Sequence, residues 1–219
     1  LLAESYLAVN QPEKAVPPYD EVLKKKPDYP LALNNRALLY YQKGRYEEAA
    51  QDLSTHLEAN PDDTQARLSR GTVYLKAEQL KEARQDFEAV RDKEARNPVL
   101  RNKVKELKKK EEEQIQLKDK AQSTLQQDPD NVKALNQLAE SSRKLGDYSA
   151  AAQAAERLLA REPESKEGYQ TLIKAYEGMK QFDKVQEVIQ RAERSGIQPS
   201  VVLPRPRLLQ PMRADTSSK

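Results

Sequence analysis

Between residues 32 and 61 the apolar positions recur at helical rather than strand spacing. Leu33, Ala37 and Tyr40 share one face of a first segment; Tyr46, Ala49, Ala50, Leu53 and Leu57 share one face of a second. Gly44 stands between them, where a helix ends and the backbone needs a residue that tolerates the left-handed region. Asn60-Pro61 closes the second segment, because proline disfavours helical geometry at the residue before it. The pattern predicts two short amphipathic helices joined by a tight turn.

The same pattern returns along the chain at a period of 34 residues. Pro27, Pro61, Pro129 and Pro163 share one register position, and Ala15, Ala49, Ala83 and Ala151 share another. Tyr6, Tyr40, Tyr74 and Tyr176 form a third set, Tyr46, Tyr148 and Phe182 a fourth, and Gly44 and Gly146 mark the turn. The unit at 64–97 replaces its turn glycine with Glu78 and its closing proline with Ala95. Residues 98–130 depart further: the register asks for small residues at Lys105 and Leu117 and a turn at Glu112, and neither glycine nor proline lies between Pro98 and Pro129. Leu100, Val104 and Leu107 form one apolar stripe there, and Ile115, Leu117, Ala121 and Leu125 form another. Lys108–Glu112 and Lys109–Glu113, spaced four apart, would each add about 0.2–0.5 kcal/mol on an exposed helix. This stretch predicts one long, largely exposed helix, or two with a bend near Glu111 to Gln114. Pro17 and Pro18 predict a late start or a bend in the helix that carries Ala15 and Tyr19.

The order small, aromatic, glycine, aromatic, alanine, apolar, proline, held in one register, resembles the tetratricopeptide repeat. That resemblance implies an all-α solenoid, a right-handed superhelix of antiparallel helix pairs. On it, residues 1–97 form a first sub-solenoid whose first repeat is truncated, and 98–130 an irregular charged helical segment. Residues 131–197 form a second sub-solenoid. Residues 198–219, with four prolines and three arginines, are expected to be an extended tail.

Composition narrows the chemistry. A charged fraction of 33%, an aromatic fraction of 5% and a mean hydropathy of −0.94 fit a thin, well-solvated solenoid. There is no cysteine, hence no disulfide framework and no thiolate metal site. That and a pI near 8.8 lean toward an extracytoplasmic location such as a bacterial periplasm, with the cytoplasm as the alternative. No apolar run is long enough to span a membrane. A net charge of +3 is too small to imply a nucleic-acid partner. The run Arg101, Lys103, Lys105, Lys108, Lys109 and Lys110 is followed at once by Glu111 to Glu113, with no interleaved aromatic for base stacking. His56, the single histidine, falls where the repeat places a small residue and reads as a packed inter-repeat side chain. No phosphate-cradling loop, zinc spacing or EF-hand is present, so no catalytic, cofactor-binding or metal-binding residue is assigned and no enzyme is expected.

The resemblance then implies protein or peptide binding on a concave face lined by the first helix of each pair. Carried onto this chain, the groove positions are Asn34, Asn35, Leu38, Tyr41, Gln42, Gln65, Leu68, Thr72 and Lys76. Beyond the irregular segment they are Lys133, Asn136, Glu140, Arg143, Lys144, Glu167, Gln170 and Lys174. The clamp by which co-chaperone members hold a terminal carboxylate is not matched: Asn35 fits, but Glu4, Gln65 and Ser69 stand where asparagine, lysine and arginine are needed. The expected role is a non-enzymatic scaffold or adaptor. The alternative is the helical accessory region of a larger enzyme or of a secretion or envelope machine. The apolar residues of the tail, among them Val201, Val202 and Leu208, suit a groove as an internal ligand.

Overall fold

A computed structural model describes residues 12–93 and 97–202. Its helices are α1 (Pro12–Lys25), α2 (Pro30–Gln42), α3 (Tyr46–Ala59), α4 (Thr64–Lys76), α5 (Leu80–Lys93), α6 (Pro98–Gln127), α7 (Val132–Lys144), α8 (Tyr148–Arg161), α9 (Lys166–Gly178), α10 (Phe182–Arg194) and the single turn α11 (Pro199–Val202). From α1 to α10 each helix packs on its neighbour in sequence, so the core is a row of small clusters. The architecture is an all-α solenoid of antiparallel helix pairs, with no strand among the described residues.

The alanines of the second helices explain the close pairing. Ala15, Ala49, Ala83 and Ala151 are all 0% exposed, and a larger side chain would push the paired helices apart. Polar residues stop and start the helices: Asp63 accepts from the Ala66 N–H at 2.9 Å, Asn131 from Ala134 at 3.0 Å and Ser165 from Gly168 at 3.2 Å. The turns within pairs need left-handed backbone. Gly44 and Gly146 supply it at φ 70° and 76°, whereas Glu78 and Lys180 adopt it without being glycine, at 59° and 58°.

A buried polar spine runs through the first pairs. Arg36 grips Asp52 with Nε and Nη2 at 2.8 and 2.7 Å and reaches Asp20 with Nη1 at 2.6 Å. Thirty-four residues on, Arg70 grips Asp86 with the same two atoms at 2.8 and 2.7 Å and reaches Ser54 at 3.1 Å. Each fork ties the first helix of a pair to both flanking second helices, the aspartates Asp52 and Asp86 being buried and the arginines half-buried.

Residues 98–127 form one unbroken helix of 30 residues, about 45 Å long. The chain does not reverse at Glu111–Glu113, and Lys105 is exposed. Leu100, Val104 and Leu107 pack on Leu80, Phe87 and Val90 of α5, while Ala121 and Leu125 pack on Ala134, Leu135 and Leu158 beyond it. The middle of α6 is left to solvent. It thereby joins an N-terminal stack (α1–α5) to a C-terminal stack (α7–α11).

Three expectations are corrected. α1 starts at Pro12 and runs through Pro17 and Pro18, so of the late start or bend expected there the late start is not found. Pro17 is exposed, so the carbonyl deprived of its helical donor can turn to water. The tail is not extended from its first residue: Pro199–Val202 make a helical turn on α9 and α10, where Val202 is 2% exposed. Residues 203–219, and with them most of the tail offered as a groove ligand, lie outside the described residues. Lys108 pairs with Glu88 of α5 at 3.1 Å rather than with Glu112, because the α5 carboxylate closes an inter-helix contact.

Candidate partner-binding groove

Helices α2 and α4, the first of their pairs, enclose a cavity of about 450 Å³. Its floor is apolar: Ala37, Leu53, Ala66 and Val73 line it and are all buried. Seven of the nine residues assigned to the first concave face, namely Asn34, Asn35, Leu38, Tyr41, Gln65, Leu68 and Thr72, line it as well, and Gln42 and Lys76 stay outside. They converge because α2 and α4 hold one register, so positions 34 apart present one face.

The chemistry of this face is neutral. Leu38 is 53% exposed, an unusual state for a leucine beside an apolar floor. The Asn34 Oδ1 is buried and accepts no hydrogen bond, although a carbonyl oxygen withdrawn from water ordinarily has a donor. Thr72 donates to the Leu68 carbonyl at 2.9 Å, so its hydroxyl proton is already used. The Tyr41 ring tilts at 56° against Tyr46, centroids 5.7 Å apart, which fixes one rim. Asp63 is the one charged lining residue. Its Oδ1 caps α4 and its Oδ2 meets His56 Nε2 at 2.8 Å. The Ala66 N–H, against burial and together with His56, holds the Asp63 carboxyl below the usual carboxylate range. His56 is 3% exposed, which matches its reading as a packed side chain. No lysine or arginine lines the cavity.

The C-terminal concave face differs. Glu140, Arg143 and Lys144 come together, but Arg143 is 2% exposed and is turned against the α4–α5 turn rather than a groove. Asn136 repeats the Asn34 arrangement, its Oδ1 also buried without a donor. Lys133 and Glu167 are exposed, and Lys174 is half-buried. In the basic run on α6, Lys108 meets Glu88 and Lys110 meets Glu106 at 2.6 Å, while Arg84 of α5 takes Glu111 at 2.8 Å.

The Arg36 and Arg70 forks escaped the sequence reading. Their signal was present, since Arg36–Asp52 and Arg70–Asp86 share one separation and sit one period apart. Pairs of opposite charge were read along single helices, whereas these cross between helices.

Two family models, both described as Tetratricopeptide repeat, match the chain, one over residues 1–64 and 55–98 and the other over 142–196. Together they cover more than half of it. The chain belongs to the tetratricopeptide repeat family. A search of curated proteins finds no match. Among solved structures, the TPR domain of P58(IPK) is similar over 91% of this chain and 60% of its own, at 16% identity and a TM-score of 0.50. A tetratricopeptide repeat protein from Parabacteroides merdae matches over 92% and 78%, at 20% identity and 0.46. MamA protein matches over 88% and 86%, at 16% identity and 0.38. At these identities the likeness is one of fold. The repeat family's segment between 99 and 141 is left unmatched, and it contains most of the unbroken helix α6. Among the described residues no helix is long and apolar enough to cross a membrane.

Proposed function

We propose that the chain is a non-enzymatic scaffold or adaptor that holds a protein or peptide partner in the groove between α2 and α4. Tetratricopeptide repeats are generally protein-interaction modules, and the observation that carries the reading here is the groove itself. It combines an apolar floor, an exposed leucine and an amide oxygen left without a donor. A floor of that kind rewards burial of an apolar side chain, and the half-buried amide side chains of Asn34 and Asn35 on its lining offer polar partners to the same ligand. With Asp63 engaged by α4 and His56, the groove favours an uncharged, apolar-centred segment. We read residues 1–97 and 131–197 as two interaction units joined by 98–130, with 198–219 as an appendage.

The test compares two double variants in a partner pull-down. Tyr41→Ala with Leu68→Ala is expected to lose the partner, and Lys108→Ala with Lys109→Ala to retain it. Retention by the first and loss by the second would move the site to α6.

A further inference from the structure

The two stacks meet at a seam over the middle of α6. Arg84, near the start of α5, meets Glu111 at 2.8 Å, and Lys118 meets Asp147, at the start of α8, at 2.7 Å. The α4–α5 and α7–α8 turns therefore lie over the same stretch of that helix. Hydrogen bonds cross between them. Arg143 donates from Nη2 to Glu78 Oε2 at 2.7 Å and from Nη1 to the Ala77 carbonyl at 3.4 Å. The Tyr148 hydroxyl donates to Glu82 Oε1 at 3.1 Å. Burial, and then the Glu82 carboxylate, push that hydroxyl far above its usual range, so it keeps the proton it donates. Gly146 permits the close approach, since a Cβ there would lie 3.0 Å from Glu82 Oε1.

Each stack is otherwise packed within itself. Among the described residues no hydrophobic core cluster draws on both α1–α5 and α7–α11. Beside the seam a cavity of about 360 Å³ separates α3 from the α9–α10 turn, with Glu48, Glu58 and Glu82 on one side and Glu177 and Lys180 on the other. From residue 108 to 120, about 20 Å, α6 has no buried side chain. Closure also carries a cost. Arg143 Nε and Glu82 Oε2 are buried without a hydrogen-bond partner, and both would regain water if the turns parted.

We propose that this seam is the latch of an elbow: the stacks close on Arg143–Glu78 and Tyr148–Glu82 and open by a change of curvature in residues 108–120 of α6. That stretch has neither glycine nor proline, so it bends smoothly and does not kink. Opening widens the cavity between α3 and the α9–α10 turn and re-aims the second concave face relative to the first. The elbow does not depend on what the α2–α4 groove holds.

Distances between spin labels, read by double electron–electron resonance, test this. The chain has no cysteine, so introduced ones are its only thiols. Labels at Gln85→Cys and Gln153→Cys, exposed positions on α5 and α8, report across the seam, and labels at Gln51→Cys and Gln85→Cys report within the first stack. The latch is removed by Glu78→Gly with Tyr148→Phe, which keeps the turn geometry and the aromatic ring; circular dichroism checks that the helices remain. With the latch intact the 85–153 pair is expected to give one narrow distance. Without it the distribution should broaden and lengthen by more than about 2 Å, the size of an ordinary helix shift at an interface, while the 51–85 pair stays as it was. An 85–153 distribution that the double variant leaves unchanged overturns the proposal. So does broadening of both pairs, which would make the seam part of the folding of the first stack.

Discussion

Asp63 links the buried polar chemistry to the groove. One carboxylate oxygen caps α4 and the other holds the buried His56, so a single side chain fixes the groove helix to the helix behind it. Its pKa is depressed in the fold, chiefly by the Ala66 N–H. The stability it contributes is therefore fully present above the unfolded value of about 3.9 and is lost as pH falls through the lower folded value. Asp63→Ala is expected to cost about 1–2 kcal/mol at neutral pH from the cap alone. Urea denaturation checks this, and the difference from the unaltered chain should shrink below about pH 4. At this scale the sequence was legible wherever register fixes direction. Asn34, Leu38, Tyr41, Gln65, Leu68 and Thr72 face one cavity because their helical positions allow little else. Arg143 occupies an equivalent register position, yet it is buried. Its fate depends on where α6 carries the second stack, which no local pattern encodes.

Helix pairs are held by small residues, and this sets what the elements tolerate. Ala151 is 0% exposed, against the facing helix of its pair. Ala151→Leu is expected to cost on the order of 1–3 kcal/mol through overpacking. An unchanged melting temperature would mean that the helices of this pair do not meet at that residue. The long α6 was legible from two lacks together, no glycine, proline or asparagine at Glu111–Glu113 and no small residue at Lys105 or Leu117 for a close helix pair. The α4–α5 turn, by contrast, reverses on Glu78 because Ala83 keeps its pair close. Its tertiary ion pairs were not. Lys108 chooses Glu88 on α5 over Glu112 on its own helix, and only the packing of α5 on α6 brings that carboxylate within reach. The prolines of α1 misled for a related reason. Pro17 and Pro18 remove two helical donors wherever they lie, and α1 keeps its helix because Ala15, Tyr19 and Leu23 pack against Ala32, Leu33 and Leu39 of α2.

Across the whole molecule, two stacks of similar pairs present different concave chemistry. The first is neutral with an apolar floor; the second ends in Arg143 and Lys144 turned onto Glu78. A long charged helix lies between them, with Lys108 and Lys110 paired to glutamates. This arrangement suits an adaptor that reads one partner segment in the first groove. Site-specific photo-crosslinking tests that claim directly. A photoreactive phenylalanine analogue placed at Leu38, the exposed leucine of the groove, is expected to form a covalent adduct with the partner, whereas the same probe at Lys109 on α6 should form none. Adducts at position 109 with none at position 38 would contradict the account.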